Sequence, residues 1–413
     1  MTSSSTLRVE AALAQVRAGG SVLILDDESR ENEGDIVVAA QFATPQAINF
    51  MARHGRGLIC LALAPEQVER LGLPPMTSDN RANRSTAFTV SIEAREGIDT
   101  GISAHDRAHT IRLAADPDVD PRAIVSPGHV FPLRAAEGGV MARDGHTEGS
   151  VDLMRLAGLT PAAAICEVMS EDGTMARRAE LDAFAKTHNL PVLSIADIRA
   201  YRLAREIMVE KVGTSLLPTA HAREPFVVHA FRNRIDGTEH LVIMSANQPD
   251  TPLVRVHSEC LTGDALGSLR CDCGAQLQES LKRIGEEGGA VVYLRGQEGR
   301  GIGLANKILA YGLQDQGLDT VDANAALGLP VDAREYWVAA HILKGLEIDR
   351  FALLSNNPAK RDALESLGLT VTEQRPLLVG ANPHSAHYLA TKAEKLGHAI
   401  PVQGTAGPQQ VAC

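Results

Sequence analysis

HSECLTGDALGSLRCDCGAQL, residues 257–277, places three of the chain's six cysteines within fourteen residues, among acids, amides and glycines. Cys260, Cys271 and Cys273 make a thiolate set suited to a borderline-soft ion such as zinc, which takes sulfur at about 2.3 Å. Three thiolates leave a fourth position open. A structural site closes it with another Cys or His, whereas a catalytic site keeps water there and lowers its pKa towards about 7. No second CxxC or HxxxH pair follows, which favours open coordination. Two plainer readings stand beside it. One is a redox dithiol of Cys271 and Cys273, although a CxC pair is one residue short of the usual motif. The other is a closed structural site with His257 as fourth ligand. Arg255, His257, Ser258, Glu259, Arg270 and Asp272 surround the thiols with donors and acids that a structural knuckle does not need, and the catalytic reading is preferred on that ground.

Working outward, PLVRVHSEC enters the cluster as a strand, and CGAQLQESLKRIGEEGGAVVYLRGQEGRGIGLANKILAYGLQDQG leaves it as helix, strand, Gly-rich turn and helix. GQEGRGIG is a weak signal as a lone glycine motif. After a strand and before a helix it is well placed to cradle a polyphosphate, with Arg300 adding charge. Further on, Asp332 and Arg334 precede a helix, and FALLSNNPAK runs a strand into Asn, Pro and Lys360. Upstream, FVVHAFRNRIDGTEHLVIM reads as a strand and hairpin. Residues 197–212 read as a helical connector with charged and apolar faces, followed by a polar GTSLLPTAHAREP. The domain boundary is expected near 203.

The N-terminal half opens with helical spacing over 7–18, ended by Gly19 and Gly20, and a buried strand, SVLILDD. DDESRENEGD then sets Asp26, Asp27, Glu28, Glu31, Glu33 and Asp35 within ten residues, with Arg30 among them. A charge run is commonly a solvated loop. Here it lies between two apolar strands, and carboxylates with water can hold Mg²⁺ near 2.0–2.1 Å. HGRGLICLAL reads as a glycine turn and strand, residues 65–72 as a helix, and TAFTVSIEA as an alternating strand. His105 and His109 stand at i and i+4, but with no HExxH glutamate between them they are read as solvated helix residues. His129 falls in the Pro/Gly turn of SPGHVFPL. Gly145 precedes a helix opening His146, Thr147, Glu148, whose free N–H groups and dipole suit a phosphate. Glu167 sits among apolar neighbours in AAICEVM, and a partly buried glutamate has a raised pKa suited to proton transfer.

At 413 residues, 44% of them hydrophobic, the chain is long enough for two domains with cores. Net charge is −11 and aromatics are 3%, with no long basic run, so nucleic acid and anionic membranes are poor partners and small phosphorylated substrates better ones. A signal-peptide pattern and any stretch of ~18 apolar residues are lacking, and clustered free thiols fit a reducing compartment. A cytoplasmic protein is expected.

RENEGD, SPGHVFPL, DGHTEGSVDL and CEVMSEDGTMAR, in that order, resemble 3,4-dihydroxy-2-butanone 4-phosphate synthase over roughly residues 8–202. The resemblance implies Mg²⁺ or Mn²⁺ on Glu31 and His146, and ribulose 5-phosphate contacts from Arg30, Glu31, Asp35, Arg143, Asp144, Gly145, His146, Thr147 and Glu167. It implies catalytic roles for His129 and Glu167; Ser126 stands where Arg is frequent. The thiol cluster with GQEGRGIG and the two later motifs resembles GTP cyclohydrolase II over about 206–400. That likeness implies Zn²⁺ on Cys260, Cys271 and Cys273. It implies GTP contacts from Arg255, Val256, His257, Ser258, Glu259, Gln276, Glu298, Gly299, Arg300, Thr320, Ser355 and Lys360, with Ser355 replacing a frequent Thr and keeping the hydroxyl. Asp332 matches the family's proton acceptor and Arg334 its nucleophile towards the α-phosphate. A guanidinium stays protonated below about pH 12, so stabilising phosphate charge is a competing role for Arg334.

The expected architecture is α/β in two domains, residues 1–202 and 203–413, each a mixed sheet flanked by helices. Both ends, residues 1–6 and the tail from about 402 with Cys413, are expected to be disordered. The leading reading is a bifunctional, homodimeric enzyme of riboflavin biosynthesis. Its competitors are the same fold with one half inactive as a scaffold, and a zinc-knuckle nucleic-acid binder, which the charge and the missing fourth ligand disfavour.

Overall fold

The computed structural model describes residues 4–385 together with Tyr388, Ala390 and Thr391. The chain divides into two compact units between Arg205 and Glu206.

The first unit runs α1 (Ser4–Arg17), β1 (Val22–Leu25), β2 (Gly34–Ala39), α2 (Pro45–Phe50), β3 (Cys60–Leu63), α3 (Pro65–Arg70), β4 (Ile92–Ala94), α4 (Ala104–Ala115), β5 (Ile124–Arg134), α5 (His146–Ala157), β6 (Ala162–Glu167), α6 (Arg178–His188), β7 (Val192–Ser194) and α7 (Ile195–Arg205). Its seven strands are ordered β4-β5-β3-β6-β2-β1-β7. β1–β7 and β3–β5 are parallel, while β1–β2, β2–β6, β3–β6 and β4–β5 are antiparallel. VLIL, IVVA and AAAIC are near-continuous apolar runs because both faces are covered. Successive side chains alternate across a strand. Leu23, Ile36, Val38 and Ala164 therefore pack with Ile48 of α2, Ile111 of α4 and Leu181 of α6. Ile24, Val37, Ala163 and Ile165 pack with Leu13 of α1, Met154 of α5 and Ile198 of α7 on the other face.

The second unit runs β8 (Val209–Leu217), β9 (Phe226–Asn233), β10 (Glu239–Met244), β11 (Leu253–Ser258), α8 (Leu261–Asp264), α9 (Cys273–Glu287), β12 (Gly289–Leu294), α10 (Glu298–Gly301), α11 (Leu304–Asp315), α12 (Thr320–Ala326), α13 (Trp337–Gly345), β13 (Arg350–Leu354), α14 (Pro358–Ser366) and β14 (Thr370–Arg375). The sheet order is β14-β13-β11-β12-β10-β9-β8. β14, β13, β11 and β12 run parallel, and the remaining pairings are antiparallel. Phe226, Ile284, Val291 and Leu354 form part of one core. Both units are thus α/β with mixed sheets flanked by helices, as expected.

Several local expectations fail. The connector helix expected over 197–212 stops at Arg205. From Val209 to Leu217, including the first residues of what reads as a polar loop, the chain is a strand paired antiparallel with β9. β-branched Val209 and Val212 with a waiting partner strand outweigh a helical spacing that has no core to face. TAFTVSIEA is a named strand only over Ile92–Ala94, with Phe88 and Thr89 joined by isolated bridges. His129 lies within β5, not in a turn. Ser4–Thr6 are helical, not disordered, because Arg8 ties the first turn of α1 by reaching Ser4 at 2.7 Å and Asp197 of α7 at 2.9 Å. The expected disorder of the tail, and the free thiol of Cys413, lie outside the described residues. Among the described residues no helix is long and apolar enough to cross a membrane.

Candidate active sites

In the first unit the loop between β1 and β2 folds around Asp26. Its carboxylate accepts from the backbone N–H of Glu31 at 3.1 Å and Glu33 at 2.8 Å, and from the Arg30 guanidinium at 2.8 Å. Arg30 also pairs with Glu31. The acid run is therefore an ordered turn around Asp26, with Asp27 and Glu28 at its exposed edge. His146 opens α5 directly after its N-cap, Gly145. Its Nδ1 lies 3.9 Å from the Glu31 carboxylate and 3.7 Å from that of Asp35. Ligand atoms of Asp26, Glu31 and His146 fall within 4.8 Å of one another, a group that can hold a metal ion. His146 Nε2 and Asp35 Oδ1 are buried without a hydrogen-bond partner. Orphaned buried polar atoms of this kind call for a bound species to satisfy them, and the donors fit a divalent cation. Burial presses the His146 imidazole down to about 4, so it is neutral at physiological pH with a lone pair to offer.

The antiparallel register of β2 and β6 sets Asp35 directly opposite Glu167. Burial, reinforced by the Glu167 charge, raises Asp35 well above the carboxylate range. Burial also raises Glu167, against the lowering effect of the Leu58 N–H that donates to it at 2.9 Å. Two facing acids raised in this way are suited to holding and passing a proton. Arg143 donates to buried Glu148 at 2.7 Å and to the Arg84 carbonyl at 3.1 Å. A Cβ on Gly145 would lie 2.1 Å from Arg143 Nη1, so a larger residue there would displace the Arg143 head from Glu148. Thr147 is buried and Asp144 exposed. His129 Nδ1 lies 2.6 Å from Glu93 of β4.

In the second unit the parallel strands β11, β12 and β13 each deliver site residues at or just beyond their carboxyl ends, where open α/β sheets bind ligands: Ser258–Cys260, Gln297–Arg300 and Ser355–Lys360. The Sγ atoms of Cys260, Cys271 and Cys273 lie within 4.8 Å of one another, and those of Cys260 and Cys271 are 3.8 Å apart. A Cβ on Gly263 would meet Cys271 Sγ at 2.9 Å and Cys260 Sγ at 3.2 Å, so only glycine lets the backbone approach the thiols this closely. Hydrogen bonds from the two other cysteines, with Lys307 adding its charge, hold Cys260 far below the thiol range against burial. The same contact raises Cys271 to about 11. One thiolate stabilised among thiols is a donor set that fits a thiophilic ion. His257 Nε2 is turned to Asp264, 3.1 Å away, and the ring is not part of the thiol group.

Two cavities that share Ser258, Cys273, Arg300, Arg334 and Tyr388 adjoin the thiols. Glu259, Glu298, Gly299 and Thr320 line the first; Arg255, His257, Gln276, Ser355 and Lys360 line the second. Arg255 donates to Gln276 at 2.7 Å, and Lys360 to the Val256 carbonyl at 2.8 Å. Arg300 has a left-handed backbone (φ 66°), and both its terminal nitrogens are buried without a partner, so its charge is available to an anion. Asp332 accepts from Arg334 Nε at 2.8 Å. Burial opposes both charges, but the pair prevails: Asp332 is held below the carboxylate range and Arg334 above the guanidinium range.

Sequence reading missed four polar side chains. Glu93 lies in an alternating strand and gives no signal of its own. Asp264 accepts from His257, from the Tyr293 hydroxyl at 2.9 Å and from Cys260 N–H at 3.0 Å. Lys307, inside an apolar helix pattern, reaches Cys260 Sγ at 3.2 Å. Asp26 stands out only as one acid among many, and its turn-holding role is invisible without coordinates.

The folds and sites define two α/β domains, each with a metal-competent donor group beside proton-transfer or cationic side chains. Residues 10–201 match the family model of 3,4-dihydroxy-2-butanone 4-phosphate synthase, and residues 210–376 that of GTP cyclohydrolase II. The riboflavin biosynthesis protein RibBA of Aquifex aeolicus is 54% identical over 395 residues, covering 94% of this chain and 97% of its own. A probable bifunctional riboflavin biosynthesis protein, chloroplastic, of Oryza sativa is 48% identical and covers 94% of this chain and 71% of its own. The crystal structure of RibBX, a two domain 3,4-dihydroxy-2-butanone 4-phosphate synthase from A. baumannii, superposes with TM-score 0.67 at 36% identity, covering 90% of this chain and 99% of that one. The chain belongs to the family of bifunctional riboflavin biosynthesis proteins named RibBA.

Proposed function

We propose that the first unit converts D-ribulose 5-phosphate to 3,4-dihydroxy-2-butanone 4-phosphate and formate, with Mg²⁺ or Mn²⁺ held by Glu31 and His146. The second hydrolyses GTP to 2,5-diamino-6-(5-phosphoribosylamino)pyrimidin-4(3H)-one, formate and pyrophosphate, with Zn²⁺ held by Cys260, Cys271 and Cys273. The observation that carries this reading is that each unit presents a metal-competent donor group beside the proton-transfer or cationic groups its reaction needs.

In the first unit a bound divalent ion would supply charge stabilisation for an enediolate. Arg30, Asp35, Arg143, Asp144 and the N–H groups of Gly145–Thr147 bind and orient the sugar phosphate. Glu167, raised by burial, and His129, tethered to Glu93, move the protons. In the second unit a bound zinc ion would supply Lewis acidity for water addition at C8 of guanine. Arg255, Arg300 and Lys360 neutralise the triphosphate, Val256–Glu259, Gln276, Glu298, Gly299, Thr320 and Ser355 position GTP, and Asp332 takes the proton of the attacking water. Arg334, held protonated by Asp332, stabilises phosphate charge as pyrophosphate leaves, a role that fits its raised pKa better than nucleophilic attack does.

We place the protein in the cytoplasm, acting on small molecules and not nucleic acid, as a homodimer. The edge strand β8, with exposed Val212, Leu216 and Leu217, supports self-association. The deciding experiment is a pair of formate-release assays on purified protein, one with ribulose 5-phosphate and Mg²⁺, the other with GTP. Formate from only one substrate would overturn the two-activity reading.

A further inference from the structure

Lys307 projects from α11 and is 8% exposed, an uncommon place for an ammonium. Its Nζ makes three contacts, to Glu298 Oε1 at 2.5 Å, Thr262 Oγ1 at 2.8 Å and Cys260 Sγ at 3.2 Å. A lysine has three N–H bonds to give, so all are committed and none remains for a nucleotide. The other oxygen of Glu298 accepts the Leu261 N–H at 2.6 Å. Lys307 and Glu298 therefore grip the segment from Cys260 to Thr262 by its sulfur, its backbone and its hydroxyl. Tyr311 closes the far side, its ring 5.6 Å from the ammonium and its hydroxyl 3.5 Å from Thr262 Oγ1.

We propose that Lys307, braced by Glu298, is the positioning residue of the three-cysteine metal site: its N–H to Cys260 Sγ fixes that sulfur and offsets thiolate charge. The inference rests on the reading of Cys260, Cys271 and Cys273 as zinc ligands and adds to it the group that sets how tightly zinc is held. A divalent ion on three thiolates carries one net negative charge, so a buried cation bonded to one sulfur stabilises the loaded site. Partners that orient metal ligands typically account for about 10–100-fold in metal affinity. The brace also assigns Glu298 a duty besides any contact with nucleotide.

The test uses the full-length protein and a chromophoric chelator competing for zinc. Lys307→Met, which keeps the stem and removes the donor, should weaken zinc binding about 10–100-fold. In the Co²⁺-substituted protein it should also shift the sulfur-to-metal charge-transfer band to lower energy, which loss of packing alone would not do. Lys307→Arg, which retains charge and donors, should stay closer to wild type than Lys307→Met does. Should Lys307→Met fail to fold, Lys307→Leu, which likewise lacks a donor, carries the same test. Zinc lost in Cys271→Ser but unchanged within twofold, with an unshifted cobalt band, in the neutral Lys307 variant overturns this inference alone. Zinc binding unaffected by Cys271→Ser removes the zinc reading and the inference with it.

Discussion

Gly57→Ala tests the Glu167 assignment without touching Glu167. Gly57 has an ordinary backbone conformation, so alanine brings no strain of its own. Its Cβ, however, would lie 2.5 Å from Glu167 Oε2, 2.6 Å from Glu167 O and 2.9 Å from Glu167 Cβ. The carboxylate can swing away, but the carbonyl oxygen belongs to the end of β6, paired to β2 at Asp35. Restoring ordinary contact, 3.4 Å or more, requires that backbone to retreat by about 0.8 Å. The same shift loosens the Leu58 N–H bond that aims the carboxylate. Overpacking of this kind costs about 1–3 kcal/mol of stability, which a domain of this size tolerates. Misplacing a reacting group by about 1 Å costs on the order of 10²-fold in rate. The expected result is a folded protein whose kcat for formate release from ribulose 5-phosphate falls about 100-fold, while formate release from GTP is unchanged. A folded Gly57→Ala protein with synthase turnover within threefold of wild type would refute the claim that Glu167 must stand where β6 puts it.

Three further outcomes follow from the same geometry. Glu31→Ala or His146→Ala should abolish formate release from ribulose 5-phosphate and spare the GTP reaction; normal synthase activity in either folded variant would remove the metal assignment. Arg300→Ala deletes an unpartnered buried guanidinium facing the cavity, so KM for GTP should rise by the equivalent of roughly 1.5–3 kcal/mol, about 10–150-fold, with a smaller change in kcat. Asp35→Asn should inactivate the synthase yet raise its unfolding midpoint in EDTA at pH 7. Because the folded pKa of Asp35 is raised, stability is greatest below the unfolded value and falls as pH climbs through the folded one, a decline that the amide should abolish in a melting series across pH.

The α/β class with mixed sheets was legible because VLIL, IVVA, CLAL and GAVVYL are short apolar runs between turn signals, and such runs become strands covered on both faces. The thiol cluster and the Asn–Asn–Pro–Lys turn were legible because their residues are close in sequence. What stayed hidden is whatever depends on pairing at a distance. The facing of Asp35 and Glu167 is a matter of register between strands 132 positions apart, and no local pattern carries it. The same holds for Glu93 against His129 and for Lys307 against Cys260, at separations of 36 and 47. β8 was misread for a related cause: its first half reads as the end of the connector helix and its second as a polar loop, and only its partner strand decides otherwise.

The two sites use burial in opposite ways, and the difference follows their chemistry. In the first unit Asp35 and Glu167 face one another and burial raises both, while it lowers the imidazole of His146. Groups so tuned change protonation state easily, which suits rearrangement of a sugar phosphate through successive proton transfers. In the second unit charged side chains come in partnered sets, Asp332 with Arg334 and Glu298 with Lys307, and buried Asp264 accepts from the His257 imidazole, which burial lowers. Partnering holds Asp332, Arg334 and Lys307 in their charged forms. A fixed field of that kind suits a substrate whose triphosphate must be neutralised before a carbon–nitrogen bond is broken. Arg300 stands outside these sets, since the partner its guanidinium lacks is the one an anionic ligand would bring.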